Sequence, residues 1–103
     1  MATARVAQNG NGQQAPAQQE RDQTLRRLLR PDEMVWLVEE AYDPVETTWR
    51  VDLVRQNRQG QWMRQRYVYD VPRQIVYFKG ERPISDAERA KIRREARVFQ
   101  RPA

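Results

Sequence analysis

The sequence predicts one small α+β domain: a short N-terminal helix, a three- to four-stranded antiparallel β-meander, and a C-terminal helix packed on the sheet. Three observations support this fold class. Leucines recur at helical spacing near residue 25, and apolar residues run together or alternate with a period of two across residues 34–78. A capping box at Ser85 then opens a second helical pattern.

The first nineteen residues differ in composition from the rest of the chain. They are rich in Gln, Asn, Gly and Ala, and apart from Met1 and Val6 they lack large apolar side chains. Such a segment cannot offset the entropy lost on ordering, so we expect residues 1–19 to form a disordered tail, either solvating or acting as a tether. Residues 20–103 then form the single domain, which has room for one modest core.

The first helix is predicted over residues 20–30. Leu25, Leu28 and Leu29 fall at i, i+3 and i+4, so they form one apolar stripe along it. Pro31 ends this helix, because the residue before a proline is disfavoured in helical conformation.

The strands that follow are joined by short turns. In the second strand Trp49, Val51 and Leu53 point to one face, and we expect that face to be the core. Gly60 suits the hairpin that leads into the third strand, since glycine adopts positive φ freely. The four predicted strands cover residues 34–38, 47–56, 61–69 and 75–78.

The second helix is predicted to begin after Ser85 and to continue to about Phe99. Glu88 lies three residues after Ser85, which is the spacing of a capping box. Ile92, Ala96 and Phe99 at i, i+4 and i+7 predict the face that packs on the sheet.

Residue types exclude several kinds of chemistry. The sequence contains no Cys and no His, which rules out disulfides, thiolate nucleophiles and a His general base. Ser85 is the sole serine, and the capping box accounts for it. Glu39 and Glu40 are adjacent on a strand, so their carboxylates point to opposite faces and do not converge. We therefore expect no enzyme activity, no cofactor, no metal site and no small-molecule substrate.

No apolar stretch approaches the roughly 18 residues that a membrane span needs, and the polar start of the chain lacks the apolar region of a secretory signal. We expect a cytoplasmic protein that does not bind membranes.

The basic residues point to the kind of partner. The formal net charge is +5, and every basic residue except Lys79 and Lys91 is arginine. Arginine suits phosphate and carboxylate recognition. A GC-rich genome would produce the same bias without any functional selection. In either case the positive excess suits an acidic partner.

The second hairpin combines arginine with aromatic residues. If Trp49, Val51 and Leu53 face the core, the opposite face presents a candidate partner-binding set of Arg50, Trp62, Arg64 and Arg66. A plain amphipathic sheet has the same pattern, and so has a protein interface, in which Trp and Arg dominate the binding energy. A sheet that binds single-stranded nucleic acid is the third interpretation.

Arginines also recur every four residues on the predicted second helix, at Arg89, Arg93, Arg97 and Arg101. They form either a solvated outer face or a surface that neutralises phosphates. Together with the hairpin they predict a non-catalytic binding module, such as an accessory or regulatory subunit, whose partner is an acidic protein or a second copy of the chain. The alternative is a nucleic-acid-binding module that uses the same arginines.

Overall fold

The computed structural model describes residues 16–103 and confirms the α+β class. Most of the predicted tail lies outside the described residues. The predicted tail boundary at residue 19 is too late, because Gln18 and Gln19 already belong to the first helix. Just before it, the Pro16 carbonyl accepts a hydrogen bond from Trp49 Nε1 at 2.8 Å. Two helices and five strands follow: α1 (Gln18–Arg26), β1 (Val35–Asp43), β2 (Thr48–Gln56), β3 (Trp62–Asp70), β4 (Ile75–Pro83), α2 (Asp86–Glu95) and β5 (Arg97–Gln100).

The five strands form one antiparallel sheet in the order β4-β3-β2-β1-β5. Hairpins join the first four strands in sequence order, as the meander prediction requires. The chain then crosses the sheet through α2 and adds β5 beside β1. Within the described residues, β4 and β5 are therefore the two edges of the sheet.

The second helix is shorter than predicted, and a fifth strand takes its last residues. Helix α2 begins with the predicted capping box but stops at Glu95, because Ala96 adopts an extended conformation with ψ 157°. In β5, Val98 then pairs with Trp36 of β1, and Phe99 becomes buried. The prediction of a helix to Phe99 was wrong, because an extended backbone is what brings this ring into the main core.

The main core lies on the sheet face that α1 covers, which we call the inner face. Trp49, Val51 and Leu53 are all buried there, as predicted, and Leu25 of α1 packs against them. The predicted apolar stripe of α1 is formed only in part, since α1 ends at Arg26 and Leu28 is exposed.

Helix α2 lies on the opposite, outer face. It runs from the end of β4 to the start of β5 and contacts β1 on the way. Val54 of β2 points to this side and is fully buried. The half of the outer face that is farther from α2 is open. Neither helix of residues 16–103 has the length and apolarity needed to cross a membrane.

Candidate functional site

Oppositely charged side chains face one another across the open part of the outer face. The register places Asp52 of β2 between Glu39 of β1 and Arg66 of β3. Side chains that oppose one another across paired strands share a face and lie within contact distance. The resulting ion pairs form the outer-face ion network, whose members are Glu39, Arg50, Asp52, Arg64 and Arg66.

Asp52 is the buried centre of this network. Its side chain is only 2% exposed, and its oxygens accept hydrogen bonds from Arg64 Nε and Arg66 Nε, each at 2.9 Å. Burial would raise the pKa of Asp52, but the hydrogen bonds and charges of Arg66 and Arg64 outweigh burial and hold the pKa below its ordinary value. Asp52 therefore stays ionised and fixes both guanidinium groups over the sheet.

Glu39 joins the network because of a bulge in β1. The pairing of β1 with β2 shifts between Leu37 and Glu39, so one extra residue moves Glu39 to the outer face. There its carboxylate accepts hydrogen bonds from Arg50 Nη2 at 2.6 Å and Arg64 Nη2 at 2.9 Å. Glu40 points to the inner face and meets Arg21 Nη1 at 2.8 Å, which confirms that the two glutamates diverge.

The arginines predicted for the hairpin do share one face, but they do not form an uncompensated basic patch. Arg50, Arg64 and Arg66 each bind a carboxylate of the outer-face ion network. A phosphate or an acidic side chain would have to compete with Glu39 or Asp52 for them. This surface is consequently polar, and its three arginines and two carboxylates leave a net charge of +1.

Trp62 lies at the end of this face nearer α2. It is partly buried, and the Arg89 guanidinium carbon lies 5.0 Å from its ring centroid, in cation–π geometry. Arg82 is held nearby through its ion pair with Glu88 of α2 at 3.1 Å. The ring of Trp62 thus contributes to the packing of α2 on the sheet.

The predicted row of arginines on the second helix is not formed. Arg93 is exposed on α2, whereas Arg97 belongs to β5 and its Nη2 lies 3.9 Å from Glu40 on the inner face. Arg101 follows β5 near the end of the chain. The row fails because α2 ends before its third member, so Arg97 lies across the sheet from Arg89.

An open concavity of about 340 Å³ lies beside the ion network. Its floor contains Asp52 and the side-chain-free Gly80, which pairs with Arg66 across the strands. Asp52 binds two of the three guanidinium groups of the lining, those of Arg64 and Arg66, and the third, that of Arg82, pairs with Glu88 of α2. The lining residues are Asp52, Arg64, Arg66, Lys79, Gly80, Glu81 and Arg82.

The most conspicuous apolar surface of the described chain is the first half of β4, which the sequence-based candidates did not include. Ile75, Tyr77 and Phe78 are 44%, 44% and 55% exposed. Phe78 covers buried Tyr67, with ring centroids 5.5 Å apart, and leaves its other side to solvent. We call residues 75–78 the β4 edge. The sequence did contain a signal for this exposed apolar surface. The last strand of the predicted meander, residues 75–78, has four consecutive apolar residues instead of an alternating pattern.

The second half of β4 has features that protect sheet edges from pairing. The register shifts between Phe78 and Gly80, which makes Lys79 the extra residue of a bulge, and β4 ends at Pro83. Lysine, bulges and proline all disfavour the addition of another strand. None of them lies within the β4 edge, and no strand of residues 16–103 other than β3 pairs with it.

Comparison with known proteins returns no relative: no protein-family model matches the chain, and no curated protein or solved structure does either.

Proposed function

We propose that this chain is a non-catalytic protein-interaction module that binds another polypeptide strand along the β4 edge. The observation that carries the proposal is the exposure of Ile75, Tyr77 and Phe78 on a strand that, among the residues the structure describes, pairs on one side only. An added strand would take up the free backbone groups of β4, and its side chains would cover the three exposed apolar ones.

The charged face supports a protein partner over nucleic acid. Binding to phosphates depends on cations that release counterions when they are neutralised. Arg50, Arg64 and Arg66 all pair with Glu39 or Asp52, so the five residues together carry a net charge of only +1. The outer-face ion network fits a polar rim beside an apolar contact better than it fits a phosphate track.

The ion pairs between buried carboxylates and arginines support a role without catalysis. The buried carboxylates of this region, Asp52 on the outer face and Glu33 on the other, each bind an arginine. An acid or base needs a proton that can move near neutral pH, and Asp52 has its pKa shifted away from that range.

The test is whether an edge substitution dissociates the protein from its complexes. Tagged full-length chain, expressed at low level in its source cells, is separated by gel filtration of the lysate. We expect wild type to elute larger than a monomer and Tyr77→Lys to elute as a monomer. Val45→Lys is the matched control, because Val45 is an exposed apolar residue of the β1–β2 loop. Elution of Tyr77→Lys with wild type in the same complex would refute the proposal.

A further inference from the structure

We infer that the polypeptide strand bound at the β4 edge carries an acidic side chain at one end of its apolar segment, and that this side chain binds beside Lys79 in the concavity of the outer face. This inference rests on the proposed function and adds the chemistry of the partner. The exposed apolar edge runs directly into a cation that has no ion-pair partner among residues 16–103, and this continuity carries the inference.

The bulge at Lys79 fixes where an added strand has to leave β4. Regular pairing of β4 with β3 runs from Ile75 to Phe78 and shifts before Gly80. A bulge twists an edge and interrupts the row of backbone groups that an added strand needs. In either strand direction, the partner chain can therefore pair along the β4 edge but turns away from it at Lys79.

Lys79 supplies positive charge at this point. It is exposed and forms no ion pair within the described part of the chain. At the opposite end of the β4 edge, Arg73 of the preceding turn already pairs with Asp70 at 3.1 Å. The two ends of the edge therefore differ, and a carboxylate of the partner is favoured at the Lys79 end.

The concavity beside this lysine has room for such a carboxylate. Gly80 leaves part of its floor without a side chain, and Arg66, opposite Gly80, is half-exposed although it binds Asp52. Arg82 and Glu88 form an ion pair that is open to solvent, with side chains 54% and 42% exposed. Exposed ion pairs contribute little to stability, so Arg82 can share a carboxylate of the partner at small cost.

Both carboxylates of the lining are already engaged. Asp52 is buried beneath its two arginines. Glu81 accepts a hydrogen bond from Gln65 Nε2 at 2.9 Å, and Gln65 shares the inner face with Tyr67. With Glu88 counted, four cations around the concavity face three carboxylates, which leaves the charge of Lys79 uncompensated.

The apolar side chains define the rest of the partner segment. Ile75 and Tyr77 pair with Asp70 and Val68 on the outer face, whereas Phe78 covers Tyr67 on the inner face. Because side chains alternate along a strand, a partner covers both faces only if consecutive residues are apolar. We therefore expect a run of apolar residues with Asp or Glu at one end.

The test selects phage-displayed random short peptides on the purified full chain, with Tyr77→Lys as the counter-selection. Peptides that depend on Tyr77 should contain an apolar run with Asp or Glu at one end. Lys79→Glu should select Lys or Arg at that end instead. Lys91→Glu is the matched control, because it makes the same charge change at an exposed lysine of α2 and should keep the acidic preference.

Fluorescence anisotropy of one labelled acidic peptide from the selection gives the second readout. Its Kd should rise about tenfold or more in Lys79→Glu, because two like charges then meet. In Lys91→Glu the Kd should change by less than about twofold, since distant exposed charges are screened by salt. An equal rise in both variants would contradict a local role of Lys79.

The outcomes separate this inference from the proposed function. Tyr77-dependent peptides without an excess of Asp and Glu, or with an excess that Lys79→Glu leaves unchanged, would overturn the acidic partner and leave the proposed function standing. A selection that yields no Tyr77-dependent peptide would overturn the acidic partner as well. The elution of Tyr77→Lys from the lysate would then decide the proposed function by itself.

Discussion

The guanidinium carbon of Arg89 lies 5.0 Å from the centroid of the Trp62 ring, so two residues predicted to face a partner contact each other. This contact joins α2 to the start of β3. It also explains why Trp62 is only partly exposed. The aromatic surface left open to a partner lies on β4 instead, at Tyr77 and Phe78.

Removal of the Arg89 side chain should weaken the packing of α2. Arg89→Ala is expected to lower the free energy of unfolding by about 1 kcal/mol, because a partly buried cation–π contact is lost. Arg93→Ala, on the exposed side of the same helix, should change it by less than ~0.5 kcal/mol. Urea denaturation of the two variants measures the difference.

A double-mutant cycle separates this contact from a general effect on the helix. In a Trp62→Leu background, Arg89→Ala should lose most of its effect, since its aromatic partner is already absent. The same loss of stability in both backgrounds would show that Arg89 acts through other contacts.

The buried Arg21 is expected to be the most stabilising charged residue of α1. It is fully buried, its Nη1 donates to Glu40 at 2.8 Å, and its guanidinium carbon lies 4.5 Å from the Trp49 ring centroid. Arg21→Ala should cost about 3 kcal/mol, because it leaves Glu40 without its buried cation. Exposed Arg58→Ala should cost less than ~0.5 kcal/mol. Equal unfolding midpoints for the two variants would contradict this role.

Asp52 should make the stability of the protein depend on pH in the acid range. Burial opposes its ionisation, but hydrogen bonds from Arg66 and Arg64 lower its pKa below the ordinary 3.8. The unfolded chain therefore takes up this proton at higher pH than the folded chain. The stabilisation is fully present above the unfolded pKa and is lost as pH falls through the lower, folded pKa.

We expect the free energy of unfolding to fall between about pH 5 and pH 2, and to fall less steeply in Asp52→Asn. The control is Glu46→Gln, which removes an exposed carboxylate from the β1–β2 loop and should leave the wild-type slope unchanged. Thermal denaturation across this range gives the slopes. If the free energy of unfolding fell equally steeply with pH in Asp52→Asn and in wild type, Asp52 would not be the source of the acid sensitivity.

The ion network also makes a prediction about nucleic acid. Wild type should bind single-stranded DNA weakly at about 50 mM salt. Glu39→Gln should bind more tightly, because it removes the carboxylate partner of Arg50 and one of the two carboxylate partners of Arg64. Glu46→Gln makes the same charge change away from these arginines and is the control. Tight, steeply salt-dependent binding by wild type that Glu39→Gln does not change would favour the nucleic-acid alternative. Fluorescence anisotropy of labelled single-stranded DNA across a salt series measures the binding of all three proteins.

Local patterns predicted most of the sheet. The alternation of Trp49, Val51 and Leu53 identified the core face, and the capping box at Ser85 identified the start of α2. Strand β5 could not be predicted in this way, because its residues continue the helical spacing of Ile92 and only their pairing with β1 favours an extended backbone.

The candidate site shows the same division between local and distant information. The alternation correctly placed Arg50, Arg64 and Arg66 on one face. The ion pairs of Arg50 and Arg64 with Glu39 depend on a bulge in β1, for which the sequence holds no turn residue as a signal. Strand β4 is an edge because β5 joins the opposite side of the sheet, beside β1. The residues of β5 lie at the other end of the chain, so the local pattern of β4 does not reveal this.

Hydrogen exchange of β4 tests most directly whether this strand is the interaction site. Amide exchange is compared between wild type in its complex and the monomeric Tyr77→Lys variant. We predict that slower exchange in the complex is concentrated in residues 75–79, because a new strand takes up their free backbone groups, while β2 in the sheet interior is equally protected in both. Protection that appears on α2 and leaves β4 unchanged would contradict the assignment of β4 as the interaction site.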